Sequence, residues 1–283
     1  MKSLFFVAAL LLPFTLAAPL DSEEQVLTPA GLRPASSVVQ IPEGGSINIS
    51  GNELQLLDAS KNIIHSAQID NTTKVRPETV PQESGWIAYA NWYNTGSPIS
   101  YFVTNWPVPP APVTNHGQTI FLFNSIEPAS GSAILQPVLQ YGPSAAGGGS
   151  YWAVSTWYVG SATYYTPLVE VGVGQVLEGI IELTSSSGSS FNYESGFANI
   201  AGVIELSGSD ELVWATETLE SYGVTTGTDY PEGSTVFSNI NLDTTSGVPG
   251  ISWAVADDTS DGVYVTIAEN GATNAVVVIN YET

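Results

Sequence analysis

From Gly85 to the C terminus, apolar and polar residues alternate with a period of two in short runs, and Gly, Pro, Asn and Ser separate the runs. The runs are WIAYANWY, ISYFVTNW, TIFLFNS, AILQPVLQY, YWAVSTWYV, QVLEGIIEL, ELVWATETL, STVFSNINL, GISWAVAD, GVYVTIAE and NAVVVINY. No window of about 12 residues keeps a helical period. About a dozen short strands without helices predict an all-β domain over 85–283, an antiparallel sandwich or barrel. PSAAGGGS, residues 143–150, reads as a hairpin connection and not a phosphate loop, because no Lys follows its glycines.

The first 84 residues are patterned differently. Residues 1–17 carry Lys2, an apolar run from Leu4 to Leu16 and a small-residue exit, the pattern of a secretory signal peptide; the run is short for a membrane span. Secretion is therefore expected, and the acceptor sequons at Asn48 and Asn71 agree with it. Residues 18–84 form a β-rich N-terminal segment of short runs broken by Gly-Gly and Gly-Asn, ending in the linker-like KVRPETVPQESG. Two readings of this segment stand: an activation segment removed near Arg76, or a small permanent module.

Composition narrows the chemistry. There is no Cys, which excludes a disulfide scaffold, a thiol nucleophile and thiolate metal sites. All five basic residues lie in the first 76 positions, and 20 Asp or Glu follow Pro77 with no Lys or Arg among them. Such a surface repels nucleic acid and anionic membranes at neutral pH. At about pH 3 to 4 most of those acids are neutral, so the balance suits an acidic medium.

Past the linker the only His is His116, in the turn TNHGQ, a position that suits turn stabilisation better than a triad. Asp257, Asp258 and Asp261 cluster in ADDTSDG without EF-hand spacing, which reads as a solvated acidic turn. No metal or other cofactor is expected. Carboxylates and amides remain. In AILQPVLQYG, alternation sets Gln136 and Gln140 on one face with Ile134 and Val138; in ELVWATETLE it sets Glu217 with Val213, Ala215 and Leu219, and Glu220 on the opposite face. A buried amide needs partners or a site to point into, and a buried carboxyl has a raised pKa that suits proton transfer in acid. Pro137, directly after Gln136, removes a ladder donor and predicts an edge strand or a bulge.

NWY, FVTNWPVPPAP, TIFLFNSIEP, AILQPVLQYG, YWAVSTWYV, GQVLEGIIELTSSS and LVWATETLE follow one another in an order that resembles the fungal glutamic peptidases, the eqolisins, over roughly residues 88–242. The resemblance implies a concanavalin A-like (lectin/glucanase-type) β-sandwich, secreted with a signal and a propeptide and active in acid. It implies a Gln from an Ile-Leu-Gln strand and a Glu from an aromatic-x-x-Glu strand as the catalytic pair, which land on Gln136 and Glu217. On that reading Glu217 activates a water for peptide-bond hydrolysis, Gln136 holds that water and stabilises the oxyanion, and Gln140 supports it. Trp92, Trp106, Trp152 and Trp157 wall the groove for a polypeptide substrate, and a monomer with no nucleic-acid or membrane partner is expected. Two rival classes fit the same residues: a non-catalytic sandwich that binds polysaccharide, and a glycoside hydrolase pairing Glu217 with Glu127 or Glu220.

Overall fold

A computed structural model describes residues 23–70, 72, 74–75, 85–257 and 262–282. The expected signal peptide, Arg76 with most of the linker, and Asp258 and Asp261 lie outside the described residues. The strands of the N-terminal segment are β1 (Gln25–Thr28), β2 (Gly31–Pro34), β3 (Val38–Gln40), β4 (Ser46–Ser50), β5 (Glu53–Leu57) and β6 (Ile63–Gln68). Next come β7 (Gly85–Tyr93), β8 (Ile99–Pro107), β9 (Thr119–Pro128), β10 (Ile134–Ser144), β11 (Gly147–Val159), β12 (Thr163–Tyr165), β13 (Val169–Glu170) and β14 (Val176–Ser187). The last are β15 (Ser190–Phe197), β16 (Ile204–Ser209), β17 (Leu212–Tyr222), β18 (Ser234–Thr244), β19 (Ala254–Asp257), β20 (Val263–Glu269) and β21 (Ala275–Tyr281). Each alternating run from Gly85 onward contributes a strand. The connection at 143–150 is the tight hairpin expected, with Ser144 opposite Gly147.

These strands build a sandwich. One sheet runs β19-β7-β17-β9-β10-β11-β12-β3, with β13 also on β11; the other runs β20-β21-β18-β8-β14-β15-β16-β4-β5-β6. Between them lies the main core, which includes Leu122, Ile126, Leu135, Leu139, Ala215 and Leu219 from the first sheet and Phe102, Trp106, Leu177 and Ile181 from the second. The first sheet is buried on its other face too. There a second apolar cluster gathers Trp86, Tyr89, Phe121, Phe123, Val138, Trp157 and Trp214, and Leu27, Ala30 and Val38 of the N-terminal segment pack against it.

The N-terminal segment is woven into both sheets. β3 pairs in parallel with β12, and β4 pairs in parallel with β16. The β1–β2 hairpin forms a small sheet of its own and lies on the outer face of the first sheet, where Ala145 N–H donates to the Leu27 carbonyl at 2.7 Å. β10 is a central strand, contrary to the edge expected from Pro137. It is tolerated because the ladder to β9 simply breaks there: Leu135 pairs with Ile126 and Val138 with Phe123 without a change of register. Among the described residues no helix is long and apolar enough to cross a membrane.

Candidate functional site

Strand pairing fixes which way each candidate side chain points. Glu217 on β17 lies opposite Asn124 on β9, and Gln136 on β10 lies opposite Trp157 on β11. Leu135 is opposite Ile126 and Ala215 is opposite Ile126 from the other side, and all three belong to the core between the sheets. Directly opposed residues share a face and successive residues alternate. Glu217, two residues from Ala215, therefore points inward, whereas Gln136, next to Leu135, points outward. The pair expected from the sequence motifs is not brought together: β9 stands between their strands and the sheet stands between their side chains.

The inward side chain is completely buried. Thr104 of β8, in the facing sheet, donates its hydroxyl to Glu217 Oε1. Asn124 reaches across beside it, its Nδ2 3.3 Å from the Gly179 carbonyl of β14. Burial pushes the Glu217 carboxyl well above the usual carboxylate range, against the Thr104 bond, which favours the charged form.

The outward face around Gln136 holds a different set of groups. Gln136 is buried, and neither its Nε2 nor its Oε1 has a hydrogen-bond partner among the described residues. On β9, Glu127 sits opposite Trp214 and is also buried. Because Leu135 pairs with Ile126, Glu127 and Gln136 stand diagonally across the β9–β10 pair on the same face, a relation that puts Cα atoms about 7–8 Å apart. Ser125 and Thr216 hydroxyls lie 2.7 Å apart, and Thr216 and Thr218 hydroxyls 2.8 Å apart, forming a polar line beside them. Trp86 and Trp214 stack with ring centres 5.8 Å apart, and Trp157 stacks on Tyr165 at 4.9 Å.

Of the four tryptophans expected to wall a groove, only Trp157 is on the Gln136 face. Trp106 and Trp152 are core residues between the sheets, and Trp92 packs against that core from its rim, because their strand positions have the inward parity. The other outward tryptophans, Trp86 and Trp214, are not among those four. Their signal was available: Trp214 alternates with Ala215 and Leu219, so it had to face away from them.

Gln140 shares the outward face and is committed to the β10–β11 turn. Its Nε2 donates to the Gly142 and Gly147 carbonyls at 2.7 and 2.9 Å, and its Oε1 accepts from Ser144 at 2.8 Å. Glu220, further along β17, receives the Ala30 N–H at 2.7 Å from the N-terminal hairpin and the Tyr222 hydroxyl on the same oxygen, Oε1. Burial pushes the Glu220 carboxyl up to about 7, partly offset by the Tyr222 and Ala30 bonds and the nearby Arg33 charge.

His116 stabilises a turn. Its Nδ1 lies 2.8 Å from Asp229, which is buried and links the 114–118 and 225–229 loops. Among the described residues no group of three or more His, Cys, Asp or Glu is arranged to hold a metal. Asp257 binds the Val265 N–H at 2.6 Å through Oδ2.

No family profile and no curated protein matches the sequence. Solved structures do match in three dimensions. A scytalido-glutamic peptidase in complex with a peptide-based transition state analog superposes with a TM-score of 0.50 at 12% identity, covering 71% of this chain and 99% of that one. A second structure of scytalido-glutamic peptidase, with a transition state analog inhibitor, gives 0.50 at 13% identity over the same shares. The chain shares their fold. The sandwich expected from the resemblance to glutamic peptidases is thus the one observed. At this identity the likeness speaks to architecture alone, so which side chains meet is decided by this chain's own register.

Proposed function

We propose that this chain is a secreted acid peptidase of the glutamic type, with Gln136 and Glu127 on the outward face of the first sheet as its reacting pair. The observation that carries the proposal is Gln136 itself. A fully buried amide without partners among the described residues costs roughly 1 to 3 kcal/mol, a cost that a substrate carbonyl would offset. The same Gln completes the Ile-Leu-Gln match, and the Glu127 carboxyl stands diagonally across from it on the same face. The fold shared with glutamic peptidases supports the reaction class. The absence of Lys and Arg after Arg76 and the N-terminal export pattern support acid and secretion.

In this mechanism Glu127, as carboxylate, takes a proton from a water that attacks the scissile carbonyl, and returns it to the leaving nitrogen. Gln136 Nε2–H donates to the developing oxyanion, a contribution of about 3 to 4 kcal/mol in comparable sites. Trp157, Trp86 and Trp214 provide apolar walls for an extended polypeptide. The N-terminal hairpin must leave the outward face before a substrate reaches it.

The test is cleavage of an unfolded protein at about pH 2 to 4, with pepstatin present and the N-terminal segment processed. Glu127→Gln and Gln136→Ala are expected to lose activity about 100-fold or more with the fold intact. Cleavage by Glu127→Gln at the wild-type rate overturns the assignment of the base. A second reading, capture of extended polypeptide without hydrolysis, is favoured by one observation: the Glu of the Trp-x-x-Glu match points into the core. Wild type that retains a peptide and never cleaves it supports that reading instead.

A further inference from the structure

Glu217, Asn124, Thr104 and Gly179 form a square across the middle of the sandwich. Glu217 is opposite Asn124 in one sheet, and Thr104 is opposite Gly179 in the other. Thr104 closes one side of the square by donating to Glu217, and Asn124 closes the other by donating to the Gly179 carbonyl. Gly179 is required there: a Cβ at this position would lie 2.4 Å from Asn124 Oδ1 and 2.8 Å from the Trp106 ring. Two oxygens are left over, Glu217 Oε2 and Asn124 Oδ1, both buried and both without a partner among the described residues.

Two acceptors of neighbouring side chains cannot satisfy each other without a proton. Turning the Asn124 amide over does not help, because its oxygen would then meet the Gly179 carbonyl, another acceptor. The remaining arrangement has a hydroxyl on Glu217. We infer that Glu217 is held as the neutral acid and donates its proton to Asn124, so that the square, whose Thr104–Glu217 and Asn124–Gly179 bonds join the two sheets, is completed within the first sheet by a bond that exists only while this carboxyl is protonated. The acid that the sequence motif offers as a catalytic base is then a pH-dependent structural clasp.

The surroundings are consistent with a single titrating group. The neighbouring strands β7 and β9 turn Ala90, Leu122 and Ile126 inward, and no titratable residue of the facing strands β8 and β14 points in. Glu178 and Glu182 of β14, Glu127 of β9 and Glu220 of β17 have the outward parity. Burial accordingly raises the Glu217 pKa with only the Thr104 bond opposing it. A carboxyl whose folded pKa is raised contributes stability that is complete below its unfolded value of about 4.3 and is lost as pH rises toward the folded value.

Glu217→Gln tests the clasp, because a side-chain amide reproduces both bonds: its oxygen accepts from Thr104 and its N–H donates to Asn124 at every pH. In urea unfolding of the full chain from pH 4 to pH 8, as an order-of-magnitude window around the unfolded value, the wild-type midpoint is expected to fall relative to that of Glu217→Gln as pH rises. The infrared difference spectrum of the two proteins near neutral pH is expected to show one protonated carboxyl band, present in wild type and missing in the variant. Midpoints that run parallel across the range, no carboxyl band in the difference spectrum, or a Glu217→Gln chain that fails to fold would each overturn the inference.

Discussion

Glu217 and Gln136 lie in the same sheet, with one strand between theirs, and point to opposite sides of it. The distinction decides what each can do. Gln136 faces the surface on which the N-terminal hairpin lies, the surface proposed above for a polypeptide substrate. Glu217 faces the second sheet, where there is no route for a substrate and where ionisation is opposed by burial. A carboxylate for hydrolysis must come from the Gln136 side, and Glu127 is the one diagonal to it.

The polar square that holds Glu217 leaves no spare volume at Gly179. Gly179→Ala would place a Cβ 2.4 Å from Asn124 Oδ1, 2.8 Å from Trp106 and 3.0 Å from Pro137. All three are buried, so relief requires the sheets to separate locally, at about 1 to 3 kcal/mol. Gly172→Ala, where a Cβ meets nothing within 4 Å, provides the control. Thermal unfolding is expected to show a clear loss for the first and almost none for the second; equal melting temperatures would mean that the core at Gly179 is looser than these distances imply.

Asp229 should behave in the opposite sense to Glu217 with pH. Its burial alone would raise its pKa, but Thr114 Oγ1 at 2.6 Å, Thr225 N–H at 2.8 Å, Thr225 Oγ1 at 2.9 Å and His116 Nδ1 at 2.8 Å outweigh that and hold it below the usual carboxylate range. A depressed carboxyl contributes stability above its unfolded value of about 3.9 and loses it as pH falls through the folded one. Asp229→Asn is therefore expected to cost about 1 to 3 kcal/mol near pH 6 and visibly less at the acid extreme. Urea midpoints at the two pH values measure this, and a variant equally destabilised at both would show that geometry and not charge is what the loops require.

Much of this architecture was legible in period-two alternation, and the reason it stopped short is physical. Alternation grouped Glu217 correctly with Ala215 and Leu219, and Gln136 correctly with Ile134 and Val138. It did not tell that the two groups lie on different sides, because the first sheet is buried on both faces and each side of β17 and β10 mixes apolar residues with buried polar ones. The same ambiguity put Trp106 and Trp152 in the expected groove and left out Trp86 and Trp214. The weaving of residues 23–70 into both sheets had no local signal at all, since β3 and β4 join through parallel pairs with strands more than 100 residues away.

The hairpin on the outward face is tied to Glu220, and that tie predicts how acid acts on it. Glu220 is covered by the hairpin, receives the Ala30 N–H, and has its carboxyl pushed up to about 7, burial being the largest cause. Freed of the hairpin and exposed, the same carboxyl would return toward about 4.3. Docking therefore takes up a proton. Its grip is complete below about pH 4.3 and weakens as pH rises through about 7. Hydrogen exchange at Ala30, corrected for its intrinsic pH dependence, is expected to speed up on going from acid to mildly alkaline solution, and Glu220→Gln, which keeps the acceptor oxygen but cannot ionise, is expected to remove that slope. An Ala30 amide that exchanges faster in acid, or identical slopes in the two proteins, would reverse the conclusion. If the predicted slope is found, acid alone does not uncover Gln136, and exposure of the proposed groove must come from cutting the chain between the hairpin and the sandwich.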